Sequence, residues 1–126
     1  MMAIGVSHKP LVEGVRKLEY GPPIATMRNY LEQMDTAPYT AVRNENDPLT
    51  LIAALGPKML ELAKTHTQGA HPYFTGPSHT KMAREILGEG PLLCVEQKVI
   101  LETDAEKARE LARPVAKIYN LSLIHI

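Results

Sequence analysis

The chain has no tryptophan, a single phenylalanine (Phe74) and a single cysteine (Cys94) among its 126 residues. One cysteine forbids an internal disulfide and fits a reducing, cytoplasmic setting. With so few large aromatics, a core has to be built from Leu, Ile, Val, Ala and Met. Net charge is lacking too: 14 basic and 14 acidic residues cancel. That removes any electrostatic reason to expect nucleic acid or a membrane surface as partner. No apolar run reaches the roughly 18 residues of a membrane span. The opening Met1-Met2-Ala3-Ile4-Gly5-Val6 lacks the basic start and long apolar stretch of a secretory leader. There is no Gly-x-Gly-x-x-Gly, no P-loop and no Gly-x-Ser-x-Gly. His66, His71 and His79 do not stand at a zinc spacing, so no metal is expected. Cys94 has no His motif around it and reads as a small buried residue.

What is present has the balance of a soluble globular domain, 44% hydrophobic and 22% charged. Short β-like runs alternate with helical patterns, which predicts an α/β fold with parallel strands. Ala3-Ile4-Gly5-Val6 reads as the tail of a strand, and residues 7–22 as a loop. Pro23 opens a helix whose apolar face is Ile24, Met27, Tyr30, Leu31 and Met34. A polar loop follows over residues 36–48. Leu49 to Ala54 predicts a strand buried on both faces. Gly56-Pro57 stops it and starts a helix with Met59, Leu60, Leu62 and Ala63 inward. Gly69 to Tyr73 is a weaker strand. Ser78 is the expected N-cap of a helix carrying Met82, Ala83, Ile86 and Leu87 and ending at Gly88. Residues 92–101 hold a further strand, best at Lys98 to Leu101. Thr103-Asp104-Ala105-Glu106 has the pattern of a capping box. It opens a helix through Ala108, Leu111, Ala112 and Val115, with Pro114 expected to kink or shorten it. The charges of that helix, Glu106, Lys107, Arg109, Glu110 and Arg113, read as a solvated face. Spacing alone does not choose between a barrel and an open doubly wound sheet.

Both ends read as cut. The chain starts at the end of a strand. It finishes on Leu121-Ser122-Leu123-Ile124-His125-Ile126, after a helix that has run its course. One coding of this hexapeptide is the end of a transposase adapter used in library preparation. Residues 121–126 are therefore expected to be an adapter-derived artefact tail, the alternative being an apolar strand that starts another unit.

Three places offer chemistry. In Leu55-Gly56-Pro57-Lys58 a buried strand turns straight into a helix. A helix N-terminus has free N–H groups and partial positive charge, and it holds phosphate without a basic side chain. A plain strand-to-helix turn explains the same residues. Gly5-Val6-Ser7-His8 follows a strand, where His8 offers a proton donor and Ser7 a hydrogen-bonding hydroxyl; an exposed loop histidine is the plainer account. Gly69 to Thr75 brings His71, Tyr73 and Thr75 to a strand mouth, with Thr75-Gly76 at the next helix start. Half-buried rim residues explain this stretch equally well.

Taken in order, four stretches resemble the luciferase-like monooxygenase (LLM class) family. They are Ile4 to Glu13, Pro23 to Leu31, Ala53 to Ala63 and Gly69 to Tyr73. The subgroup they resemble most is predicted to use coenzyme F420, a 5-deazaflavin. The resemblance covers residues 3 to about 120, and it implies a fragment of a (β/α)8 TIM barrel. A whole barrel of this kind needs about 250 residues. Residues 1–120 would be a partial barrel domain, from the end of strand 4 to the helix after strand 7. By the same resemblance, Leu55, Gly56 and Pro57 hold the cofactor phosphate and Thr75 and Gly76 lie near it. Val6, Ser7 and His8 flank the ring; other branches of the family carry a different polar residue at His8, which is the expected catalytic proton donor here. Where many relatives have Ala-Asp-Gly before the sixth strand, this chain has Thr67-Gln68-Gly69. The implied activity is hydride transfer between the deazaflavin and a small organic substrate, with a homodimer compatible. Alternatives are a monooxygenase using FMN on the same barrel and a non-catalytic truncated fragment with part of a phosphate site.

Overall fold

Leu51 and Ile52 are neighbours in sequence, yet they are only 1% and 0% exposed. Side chains alternate between the faces of a strand, so two consecutive buried residues require cover on both sides. The computed structural model, which describes residues 1–40, 42 and 48–120, places these two in β2 (Thr50–Ile52) inside a four-stranded sheet. Its other strands are β1 (Met2–Ile4), β3 (Gly69–Ala70) and β4 (Leu92–Leu93). The spatial order is β1-β2-β3-β4 and every pairing is parallel. Helices α1 (Pro23–Thr36), α2 (Pro57–His66), α3 (Pro77–Leu87) and α4 (Ala105–Asn120) follow the strands in turn. The chain is thus an α/β protein built of βα units, as the alternating pattern predicts.

Each of the first three helices begins with proline, whose fixed φ and missing N–H suit the first helical position. In α2 the predicted apolar set Met59, Leu60, Leu62 and Ala63 is buried, while Lys58, Glu61 and Lys64 are exposed. α2 packs between α1 and α3. Met27 and Leu31 of α1, Ile52, Ala54, Ala70, and Ala83 and Leu87 of α3 complete the core. Each fully buried Leu or Ile contributes about 1.5–3 kcal/mol relative to exposure. At Gly69 β3 and β4 meet too closely for a side chain: an added Cβ would lie 2.1 Å from the Leu92 carbonyl oxygen.

Several local expectations are corrected. Ser78 does not cap α3: Pro77 sets the start one residue earlier, and extended Gly76 is the N-cap. In α4 the cap is Asp104, not Thr103. The Asp104 Oδ1 accepts the N–H of Glu106 (2.9 Å) and of Lys107 (3.1 Å). The fourth strand is Leu92–Leu93, and Lys98 to Leu101 is not a strand. The ladder to β3 runs from Leu92 N–H to the Gln68 carbonyl and from Cys94 N–H to that of Ala70, and ends with Glu96 N–H on Pro72. Among the described residues no backbone bond joins the segment beyond Glu96 to the sheet. Pro114 lies within α4, whose helix runs past it to Asn120. Residues 7–22 are not all loop, because Pro10–Val15 winds as a π-helical turn braced by Lys9 and Glu13 at 3.7 Å. Tyr30, at the margin of the α1 stripe, is 52% exposed, and Cys94 is half-buried. The polar loop expected over 36–48 falls partly outside the described residues, and the 121–126 hexapeptide falls wholly outside them.

Candidate functional site

Because all four strands are parallel, their carboxyl ends share one edge, the edge where α/β proteins bind ligands. All the site residues expected from sequence follow directly from those ends. Leu55 leaves β2 and runs into extended Gly56, the N-cap of α2, with Pro57 at the first helical position. The N–H groups of Met59 and Leu60 both turn back to the Gly56 carbonyl. Thr75 leaves β3 and precedes Gly76, the N-cap of α3, where His79 and Thr80 N–H both return to the Gly76 carbonyl. Neither helix has a side-chain cap. An added Cβ at Gly56 or at Gly76 would meet nothing within 4 Å, so both N-caps stand open.

The two turns are fastened together by a residue that sequence reasoning set aside. His79, in the first turn of α3, donates from Nε2 to the Leu55 carbonyl at 2.8 Å. That bond fixes the tautomer and leaves Nδ1 as an acceptor, buried and without a partner. The Thr75 hydroxyl is likewise buried and unpartnered. His79 three residues after the Gly76 N-cap was the available signal, since a side chain there reaches back over the helix start. His71 does similar work between β3 and β4, its Nδ1 donating to the Cys94 carbonyl at 2.6 Å.

The loop after β1 lies beside this pair. Ala53 N–H bonds the Ile4 carbonyl at 2.8 Å, and a Cβ on Gly5 would stand 3.0 Å from that of Ala53. Val6 is half-buried and lines a small cleft of about 330 Å³ with Thr26, Met27 and Tyr30 of α1. Ser7 holds φ at +62°, an unusual conformation for a residue with a side chain, and its carbonyl accepts the Tyr20 hydroxyl at 3.2 Å. Burial raises the Tyr20 pKa above the ordinary phenol value. His8 is half-buried, with its carbonyl taking the N–H groups of Leu11 and Val12. Phe74 is the other strand-end residue at positive φ, +56°.

On the far side, past β4, a polar and aromatic cluster closes the edge. The Tyr73 and Tyr119 hydroxyls are 2.8 Å apart, and Phe74 stacks on Tyr119 at 4.8 Å between centroids. Lys98 sits 4.9 Å from the Tyr73 ring centroid and 3.1 Å from Glu96 Oε1. Its ammonium lowers the Tyr73 pKa, and Tyr73 with Glu96 holds Lys98 above the ordinary lysine value. Among the described residues no group of three His, Cys, Asp or Glu side chains gathers as a metal ion requires, and no helix is long and apolar enough to cross a membrane.

The arrangement offers two open helix N-termini, side by side, neither with a side-chain cap. It suits an anion held by backbone N–H groups. Comparison with known proteins adds no relative: no family model, no curated protein and no solved structure matches the chain.

Proposed function

We propose that the chain is part of an oxidoreductase of the luciferase-like type, a sector of a (β/α)8 barrel that binds the phosphate of a deazaflavin, coenzyme F420. The observation that carries this reading is the pair of uncapped N-termini at Gly56-Pro57 and Gly76-Pro77, tied by His79 to Leu55 at the carboxyl edge. The residues present fit a phosphate: the N-caps are glycines with open space where a Cβ would be, and the Thr75 hydroxyl beside Gly76 lacks a partner. Sequential strand order and α2 lying between its neighbours α1 and α3 also suit a barrel sector, since a doubly wound sheet reverses order at its middle. The resemblance to luciferase-like proteins supplies the cofactor and the reaction.

In this reading Leu55, Gly56, Pro57, Thr75 and Gly76 bind the phosphate, and Val6 and Ser7 orient the ring. His8 is the catalytic proton donor to a small organic substrate. A bound deazaflavin supplies hydride, carbon standing where flavin has its reactive nitrogen. The protein contributes binding, orientation and the proton.

Fluorescence titration of the chain with coenzyme F420 and with FMN tests it. Gly56→Asp and Gly76→Asp are informative variants, because Asp is a good N-cap and stabilises the helix while its charge repels phosphate. Both are expected to weaken deazaflavin binding about tenfold or more while leaving thermal stability equal or higher. Failure of both cofactors to bind overturns the proposal, as does binding unchanged by both variants. Binding of FMN alone, with oxygen uptake on reduction, selects the monooxygenase instead. The chain alone is expected to be inactive, so His8 is tested in the full-length enzyme, where His8→Ala with unchanged turnover and cofactor binding removes His8 from the mechanism.

A further inference from the structure

The sheet has two open edges, and they match each other. Ladder bonds join β1 to β2 through Met2 and Ile4, and β4 to β3 through Leu92, Cys94 and Glu96. Backbone groups of successive residues point to opposite sides of a strand. Ala3 on β1, and Leu93 and Val95 at β4, therefore aim their N–H and C=O groups outward. Among the described residues none of these groups has a backbone partner. Neither strand carries the charge or the proline that usually blunts a sheet edge. Met2 and Leu92 lie exposed there, at 36% and 40%.

The helical layer repeats this at its two ends. After β4, α4 leaves Leu111 and Val115 exposed. At the other end, β1 and α1 leave open the cleft lined by Val6, Met27 and Tyr30. The missing cover is large. The chain exposes 9343 Å². A compact monomer of 13.9 kDa exposes roughly 6,700 Å². The excess is about three times the ~800 Å² that a stable interface takes from each partner.

We propose that a second copy of the chain supplies the cover, β4 of each copy pairing in parallel with β1 of the other to close a ring of eight strands. Such a junction keeps the polarity of all three pairings already in the sheet. A twofold axis makes the junction twice and uses up every open edge. A strand from an unrelated partner fills one edge and leaves the other bare. Eight is also the strand number at which a parallel barrel closes on an interior filled by side chains. In the ring α4 of one copy lies next to α1 of the other, with Leu111 and Val115 toward the cleft beside Tyr30. The ring rests on the barrel part of the reading above and is independent of the cofactor.

Mass and amide exchange of the 126-residue chain, with no cofactor added, test it. Light scattering at about 100 μM chain is expected to read twice 13.9 kDa. The Ala3, Leu93 and Val95 amides are expected to exchange about tenfold or more slowly in the dimer than in chain diluted to monomer. Leu93→Pro removes an outward N–H without touching the ladder to β3. It is expected to weaken dimerisation about tenfold or more while the chain stays folded. A monomer at that concentration overturns the proposal. So do an open-ended series of larger species, a dimer whose three amides exchange freely, and a folded Leu93→Pro chain that dimerises as before. Where Leu93→Pro does not fold, amide exchange of the unaltered chain decides. Cofactor titration reads separately: a monomer that binds the deazaflavin strikes the ring alone, and a dimer that binds neither cofactor strikes the cofactor alone.

Discussion

The block from α1 to β4 and the two arms that flank it are built on the same amphipathic principle and end differently. Among the described residues, every buried apolar side chain of the core lies between Met27 and Leu87. The described side chains of the arms, residues 5–20, 94–117 and 119, contribute none. The contrast is sharpest between α2 and α4. Both place apolar residues three and four apart, but α2 buries Leu60 and Leu62 while Leu111 of α4 remains 61% exposed. Periodicity, then, makes a helix face; a neighbouring surface is what makes that face a core. α2 finds β3 and two helices. α4 follows a strand of two residues and a segment that has left the sheet, so its face lines a cleft.

The comparison breaks most visibly at its centre. Leu60→Ala removes a fully buried side chain and is expected to cost about 2–5 kcal/mol in unfolding free energy, read from chemical denaturation. A loss of under 1 kcal/mol would mean that the block is no better packed than the arms. Next comes Gly69→Ala, where the new methyl group meets the Leu92 backbone. A cost of about 1–3 kcal/mol is expected, with loss of hydrogen-exchange protection at Leu92 and Cys94. In the arm, Asp104→Ala removes the cap on Glu106 and Lys107 N–H. It is expected to destabilise α4 by about 1 kcal/mol. Because no described side chain of α4 is buried in the core, helical signal at Ala105 to Leu111 should fall while the denaturation midpoint of the block stays put. A matching shift of that midpoint would show the arm and block to be one cooperative unit.

How much of this was readable in advance follows the same division. The faces of α2 and α3, the strand at Leu51-Ile52 and the turn at Gly56-Pro57 were legible, because local pattern and tertiary burial agree there. Lys98 to Leu101 misled. Val99-Ile100-Leu101 has strand-like residues, but pairing is decided by where β3 runs out, at Pro72, and no local pattern records that. The caps at Ser78 and Thr103 failed by one or two residues, since proline at the first helical position and an aspartate next to a threonine compete for the same task. At the candidate site the backbone turns were legible and the tie between them was not. His79 lies 24 residues from Leu55, and only the packing of α3 on α2 brings the two together.

The smallest expected effect lies in the other arm, and it carries a sign. Tyr20 donates to the Ser7 carbonyl from a partly buried position, and that burial raises its pKa above 10. The folded chain therefore holds the phenolic proton more tightly than the unfolded chain does. This contribution is fully present below the unfolded value near 10, and it is lost as the pH rises through the folded value. Stability is thus expected to bend downward above about pH 10, once the unfolded chain begins to release a proton that the folded chain keeps. Tyr20→Phe should cost about 0.5 kcal/mol at neutral pH, the worth of one long hydrogen bond, and remove its share of the alkaline slope. An unchanged slope in the variant would place Tyr20 with the freely solvated residues of the arm. A cost of 2 kcal/mol or more would instead extend the packed block to the loop that carries Ser7 and His8.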